Sequence, residues 1–163
     1  VSETTRRRLG FLALDALFLV IIGAVTVWTK QLPTIDLRLL PFFALATFRL
    51  ARTLSFNEIA EPLRAPFTEV MADSCGAGSD VHPRGGGIQY VIGSLLACPI
   101  CTGTWSALAL FTAYTVYAPF GKTLVYVLAF AGASEVLHWA GCLLEWGGRA
   151  ARVYSGKTAP DKE

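Results

Sequence analysis

Between Leu9 and Thr29 about 20 positions are apolar almost without a break, and at about 1.5 Å per residue a helix of that length crosses a hydrocarbon core of about 30 Å. No other feature limits the fold as much, because such a run reads as a membrane span. Trp28 and Lys30 stand at its far end, where interfacial aromatics and snorkelling lysines belong. Arg6-Arg7-Arg8 precede it and would suit a signal peptide. The run is too long for one, however, and no small-residue cleavage site follows, so an uncleaved helix is expected. Asp15 is the one strongly charged residue inside it. An intramembrane carboxylate marks a functional hypothesis; two turns from the start it also suits an ion pair with an arginine.

Composition agrees with a membrane chain. Of 163 residues 53% are hydrophobic and 16% charged, against about a quarter charged in a soluble domain. A net charge of +2 is too small to suggest nucleic acid. Four cysteines are too few for a disulfide scaffold, so their spacing matters more than their number. The length fits one domain, residues 1–163.

After Pro33, Leu37 to Leu54 is a second apolar stretch carrying Arg49 and Arg52, with Arg64 beyond it. Three apart, Arg49 and Arg52 share one helix face. They either anchor a helix that ends near Phe48 at the cytoplasmic side, or face the interior and clamp an acid such as Asp15, Glu58 or Glu61. Ser55-Phe56-Asn57-Glu58 looks like a capping box. Phe56, Ile59, Leu63, Phe67 and Val70 then recur at helical spacing, predicting a short amphipathic segment at the membrane surface, broken by Pro62 and Pro66. Ala72 to Gly87 reads as a flexible loop; Gly85-Gly86-Gly87 lacks the Lys-Ser/Thr of a phosphate-binding loop. Ile88 to Ala97 is apolar but too short to span, Trp105 to Ala118 begins another span, Pro119-Phe120-Gly121 makes a turn, and Thr123 to Trp146 follows.

The expected fold is therefore all-α: an integral membrane protein with four transmembrane helices at about 9–29, 37–54, 103–119 and 121–146. The interfacial segment lies in a cytoplasmic loop over 55–98, and a polar, disordered tail covers 150–163. With four spans both termini share a side. That side holds Arg6 to Arg8, Arg64, Arg84 and the basic tail, whereas the other holds little beyond Lys30, Lys122 and Arg38, so both termini are placed in the cytoplasm.

On that topology all four thiols fall on the cytoplasmic side, and four readings of them compete. Cys98-Pro99-Ile100-Cys101 at a helix start is the arrangement of a redox pair, its thiolate favoured by the helix dipole and free backbone donors, although a reducing cytoplasm opposes disulfide formation. Zinc would take Cys98 and Cys101 with His138 and Cys142, four apart on one helix face; Cys75 and His82 are a looser alternative. A haem or pigment would use His138, beside Trp139 and three residues after Glu135. In the last reading no cofactor is bound and there is no catalysis: Cys98 and Cys101 pack where the loop re-enters the bundle, Gly103 allows close approach and Trp105 anchors the interface.

Leu45-Ala46-Thr47-Phe48-Arg49-Leu50-Ala51-Arg52, Pro62-Leu63-Arg64 and Cys98-Pro99-Ile100-Cys101-Thr102-Gly103-Thr104-Trp105 occur in that order. Together they resemble the bacterial membrane family catalogued as domain of unknown function 1360 (DUF1360), to which a sporulation protein is related. The likeness covers roughly Leu39 to Leu110. It departs at Asn57, where an aspartate is expected, and in the glycine-rich loop with Cys75 and His82. The resemblance implies a multi-pass protein of the bacterial inner membrane and no established activity. The expected role is that of an accessory or scaffold subunit, in contact with the lipid bilayer and with other membrane subunits or its own copies. Gly93, Ser94, Gly103, Gly132, Ala133 and Ser134 would offer close helix contacts, with Asp15, Arg49, Arg52 and Arg64 in structural ion pairs.

Overall fold

The computed structural model describes residues 2–29, 36–72 and 79–158, with side chains as far as Arg152 apart from those of Ala72 and Ser79. Of the described residues 86% are helical. Helix α1 is Glu3–Thr29, α2 Leu40–Phe56 after a 3-10 turn at Leu37–Leu39, α3 Glu61–Arg64, α4 Gly87–Ala97, α5 Pro99–Val116 and α6 Ala118–Thr158. α1, α2 with its leading turn, and α6 are long and apolar enough to cross a membrane. α4 and α5 pass the same test only together, bent by 87° at Cys98, which would make a fourth. These apolar helices are compatible with a membrane protein.

Local chemistry explains where the helices begin. Asp36 accepts the Arg38 N–H at 3.0 Å and caps the 3-10 turn. Pro41 and Pro99 stand in first turns, where a missing N–H costs no helix bond. In α1 the Thr26 and Thr29 hydroxyls donate back to the Ile22 and Val25 carbonyls at 2.8 and 2.9 Å, satisfying themselves within an apolar helix.

The core lies between α2, α5 and α6, where Ala46, Leu110, Val125 and Ala129 are buried under Phe42, Phe43, Leu45 and Leu128. Edge-to-face pairs bind its margins: Phe43 with Tyr114 at 5.4 Å and Phe42 with Tyr126 at 5.2 Å between centroids. Gly132 sits against the Leu45 carbonyl, with no room there for a methyl group. α1 packs outside this core, on α4 through Gly10 and Val91 and on α5 through Phe18 and Trp105, 5.4 Å apart.

Four expectations need correction. The chain is not all-α: Thr68–Ala72 (β1) and Ser79–Pro83 (β2) pair antiparallel, Val70 opposite Val81, inside the stretch read as surface helix and loop. Pro66 explains the failed helix, since it lacks the N–H that would carry α3 onward; a 3-10 turn at Glu58–Ala60 and the single turn of α3 are all that form, and Ile59 and Leu63 are exposed. Gly93 of α4 lies against the Phe67 carbonyl and Pro83, tying the hairpin to the bundle. Ser55 is no capping residue; it is fully buried in α2, which runs on to Phe56 instead of ending near Phe48. The turn before α6 falls at Tyr117, leaving Pro119 inside the first turn of the helix. Finally, the tail read as disordered continues α6 to Thr158, helped by an Arg149–Glu145 pair one turn apart at 2.7 Å.

Candidate functional site

The bend between α4 and α5 is built around Cys98. Its backbone is extended, its N–H closes α4 on the Leu95 carbonyl at 3.3 Å, and its sulfur caps α5 by accepting the Cys101 N–H at 3.3 Å. That geometry brings the two thiols together: Cys101 Sγ donates to Cys98 Sγ at 2.7 Å, and both cysteines are free. Thr102 braces the bend, its hydroxyl donating to the Leu95 carbonyl at 2.7 Å and meeting the Ser55 hydroxyl of α2 at 3.3 Å. Gly103 faces Ala51 across the same contact. The arginine-bearing and cysteine-bearing stretches therefore pack directly on one another. Cys101 is exposed and lines a cleft of about 560 Å³ with Thr104 and Trp105 of α5, Ser94 of α4 and Asp15 of α1. Asp15 forms no ion pair among the described residues; it opens onto the same space as the thiol.

The arginines of α2 have a different partner from those the sequence suggested. Arg49 Nη1 meets Glu135 Oε2 and Arg52 Nε meets Glu135 Oε1, both at 2.7 Å, and the Glu135 side chain is 14% exposed. Asp15, Glu58 and Glu61 take no part. One carboxylate holding two guanidiniums has both oxygens occupied by charge-assisted bonds, which is how a charged group tolerates low dielectric. The Arg52 guanidinium also lies 5.4 to 5.8 Å from the rings of Phe48, Phe56 and Trp139. Glu135 stands out in the sequence only as the lone acid within the Thr123 to Leu144 apolar run; it is the parallel packing of α2 and α6, Phe42 beside Tyr126 and Arg52 beside Trp139, that brings it level with the two arginines.

Arg64 is a cap rather than an ion-pair partner. It is 5% exposed and donates to the carbonyls of Asn57 at 2.8 Å, Phe56 at 3.2 Å and Leu54 at 3.5 Å, and among the described residues it meets no carboxylate. A cation there satisfies orphan carbonyls and complements the dipole at the C-terminal end of α2.

The four-ligand zinc set is not assembled. His138 Nε2 and Cys142 Sγ are 3.7 Å apart on α6, but Cys98 and Cys101 are not with them; among the described residues no three metal-ligating side chains converge. His138 lies on the exposed face of α6, against the edge of Trp139. Cys75 lies outside the described residues, and His82 pairs opposite Glu69 in the hairpin.

Known proteins share this region. The family model described as "Protein of unknown function (DUF1360)" matches residues 42–141, from the first turn of α2 to the middle of α6. The chain is similar to "Sporulation protein YjcA" of Bacillus subtilis (strain 168), 36% identical over 97 residues, covering 58% of this chain and 82% of the relative. It is also similar to "UPF0713 protein YngL" of the same organism, 29% identical over 98 residues, covering 59% of this chain and 72% of the relative. No solved structure matches it. The matched span takes in the Arg49–Arg52–Glu135 cluster, the Arg64 cap and the Cys98–Cys101 bend, and over that span the chain belongs to the DUF1360 family.

Proposed function

We propose that this chain is a four-crossing protein of the bacterial cytoplasmic membrane, both termini inside, that works by association. It would serve as an accessory or scaffold subunit of a larger membrane assembly or of its own oligomer. The observation that carries this reading is the length of α6. Its 41 residues rise about 60 Å, twice a hydrocarbon core of about 30 Å. Every residue from Leu143 to Arg152 is exposed, with Leu143 at 74%, Leu144 at 79% and Trp146 at 69%. A helix that leaves its own bundle while still carrying large apolar side chains invites a partner. The small residues expected to make such contacts do other work, since Gly93, Gly103 and Gly132 are used inside the chain. Counting α4 and α5 as one bent crossing supports the even number that puts both termini on one side. The relative named a sporulation protein makes spore formation the process in which to seek the partner.

The test is light scattering and crosslinking of the full chain in mild detergent. A protein mass above the 17.6 kDa of one chain, falling to one chain in Leu143→Glu/Trp146→Glu, is the expected result. A wild-type chain that stays monomeric and crosslinks to nothing in its native membrane overturns it.

One observation favours a second reading, a membrane dithiol. The Cys98 and Cys101 sulfurs lie 2.7 Å apart at the edge of a cleft that also holds Asp15. Oxidation would form one S–S bond and release two protons and two electrons to an acceptor. A reductant-dependent mobility shift after thiol alkylation, lost in Cys98→Ser, tests it; four thiols alkylated alike whether or not reductant is added would end this reading.

A further inference from the structure

A groove of about 920 Å³ runs between α1 and α4, lined at one end by Glu3 and Arg6 and beyond them by Leu9, Leu14, Leu17 and Ile92. Its charged end is unbalanced. Glu3 Oε1 accepts the Gly87 N–H at 2.8 Å and the Arg7 Nε–H at 3.2 Å, and the Arg7 guanidinium lies 3.8 Å over the Tyr90 ring. Glu3 and Arg6 are the charged side chains of the lining, and because Arg7 takes Glu3, Arg6 faces the groove without an ion pair of its own. Among the described residues the guanidiniums of Arg6 and Arg8 make no ion pair. The apolar part has a definite length. From Arg6 to Leu17 the helix rises about 16 Å, and one leaflet's share of a core of about 30 Å is about 15 Å.

We propose that this groove holds an anionic phospholipid, one acyl chain lying along Leu9, Leu14 and Leu17 and its phosphate at Arg6. A guanidinium meets a phosphate by paired, charge-assisted bonds, and anionic lipids of the cytoplasmic leaflet gather at basic segments beside a span. Neither half of the groove suffices alone. The apolar wall accepts any chain, and the arginines any anion; a lipid with both parts fills the whole. The proposal rests on the membrane placement of α1 given above, and not on association through α6.

The experiment uses the full chain extracted from the membrane fraction, delipidated in detergent and mixed with phosphatidylglycerol or phosphatidylcholine of identical chains, bound copies being counted by native mass spectrometry. Wild type should retain phosphatidylglycerol about fivefold over phosphatidylcholine. Arg6→Gln should remove that preference, Arg6→Lys should keep most of it, and Ala13→Phe, which fills the groove, should lower retention of both lipids. Arg6 is exposed and its side chain holds nothing in place, and circular dichroism checks that the variants keep their helices. Equal retention of the two lipids by wild type overturns the proposal, as does an Arg6→Gln preference that is unchanged. Displacement of phosphatidylglycerol by glycerol phosphate as well as by the whole lipid also overturns it, because the chain would then contribute nothing. Protein recovered only from the soluble fraction would overturn the membrane placement itself, a failure distinct from the others.

Discussion

Glu135 Oε1 accepts the Nε–H of Arg52 at 2.7 Å across α2 and α6, while its other oxygen takes Arg49 at the same distance. The carboxylate is the hub, so the three residues are not equivalent. Removing Glu135 strands two cations, whereas removing Arg49 leaves a complete Arg52–Glu135 pair. Glu135→Ala should therefore cost about 3–5 kcal/mol and Arg49→Gln clearly less. Thermal unfolding of the three proteins in one detergent measures both, and equal losses would show that the hub is misassigned.

Arg64 reaches three carbonyls at the end of α2 from one planar group. Lysine would supply the charge but not the fork. Arg64→Met should destabilise by about 1–3 kcal/mol through the carbonyls left without partners, and Arg64→Lys should recover only part of it. Hydrogen exchange should locate the loss in the last turn of α2. A substitution that leaves exchange there unchanged would remove the capping role.

Glu3 lies ahead of the apolar run that starts at Leu9, and it joins the start of α1 to the start of α4. The Gly87 N–H first, and then the Arg7 guanidinium, hold its carboxyl below the usual 4.5. A folded pKa below the unfolded one means that this link stabilises fully above the unfolded value and fades as pH falls through the folded value. The Gly87 amide should accordingly exchange faster as pH falls below the usual carboxyl value of 4.5, after correction for intrinsic rates. Glu3→Gln should abolish that change. An acid response that survives the substitution must come from another carboxylate.

What the sequence made legible was local. The Leu9 to Thr29 run becomes α1 because length and uniform apolarity need no partner to be read. Cys98-Pro99-Ile100-Cys101 starts α5 because a capping sulfur and a proline in the first turn lie side by side. The Arg49–Glu135 pair joins residues 86 apart and leaves no local trace, so the shared face of Arg49 and Arg52 was visible while their partner was not. The hairpin was hidden differently. Its strands are five residues each, and the helical spacing of Phe56 to Val70 outweighed the proline that stops the helix. Nor could composition foresee that α6 runs into the polar tail as far as Thr158, because Glu145 and Arg149 support a helix only once it has already formed there.

Cys98 does two things that substitution can separate. Its sulfur caps α5 by accepting the Cys101 N–H, and it lies against the Cys101 thiol. Serine is a strong N-cap residue and alanine is not, a difference of about 1 kcal/mol. Cys98→Ser should therefore stay within about 0.5 kcal/mol of wild type, and Cys98→Ala should fall by about 1 kcal/mol. Both variants lose the dithiol equally. Thermal unfolding thus reports the cap alone, and any property lost to the same degree in serine and alanine variants belongs to the thiol. Should serine unfold as early as alanine, the sulfur's bond to the Cys101 N–H would not be the cap that the geometry indicates.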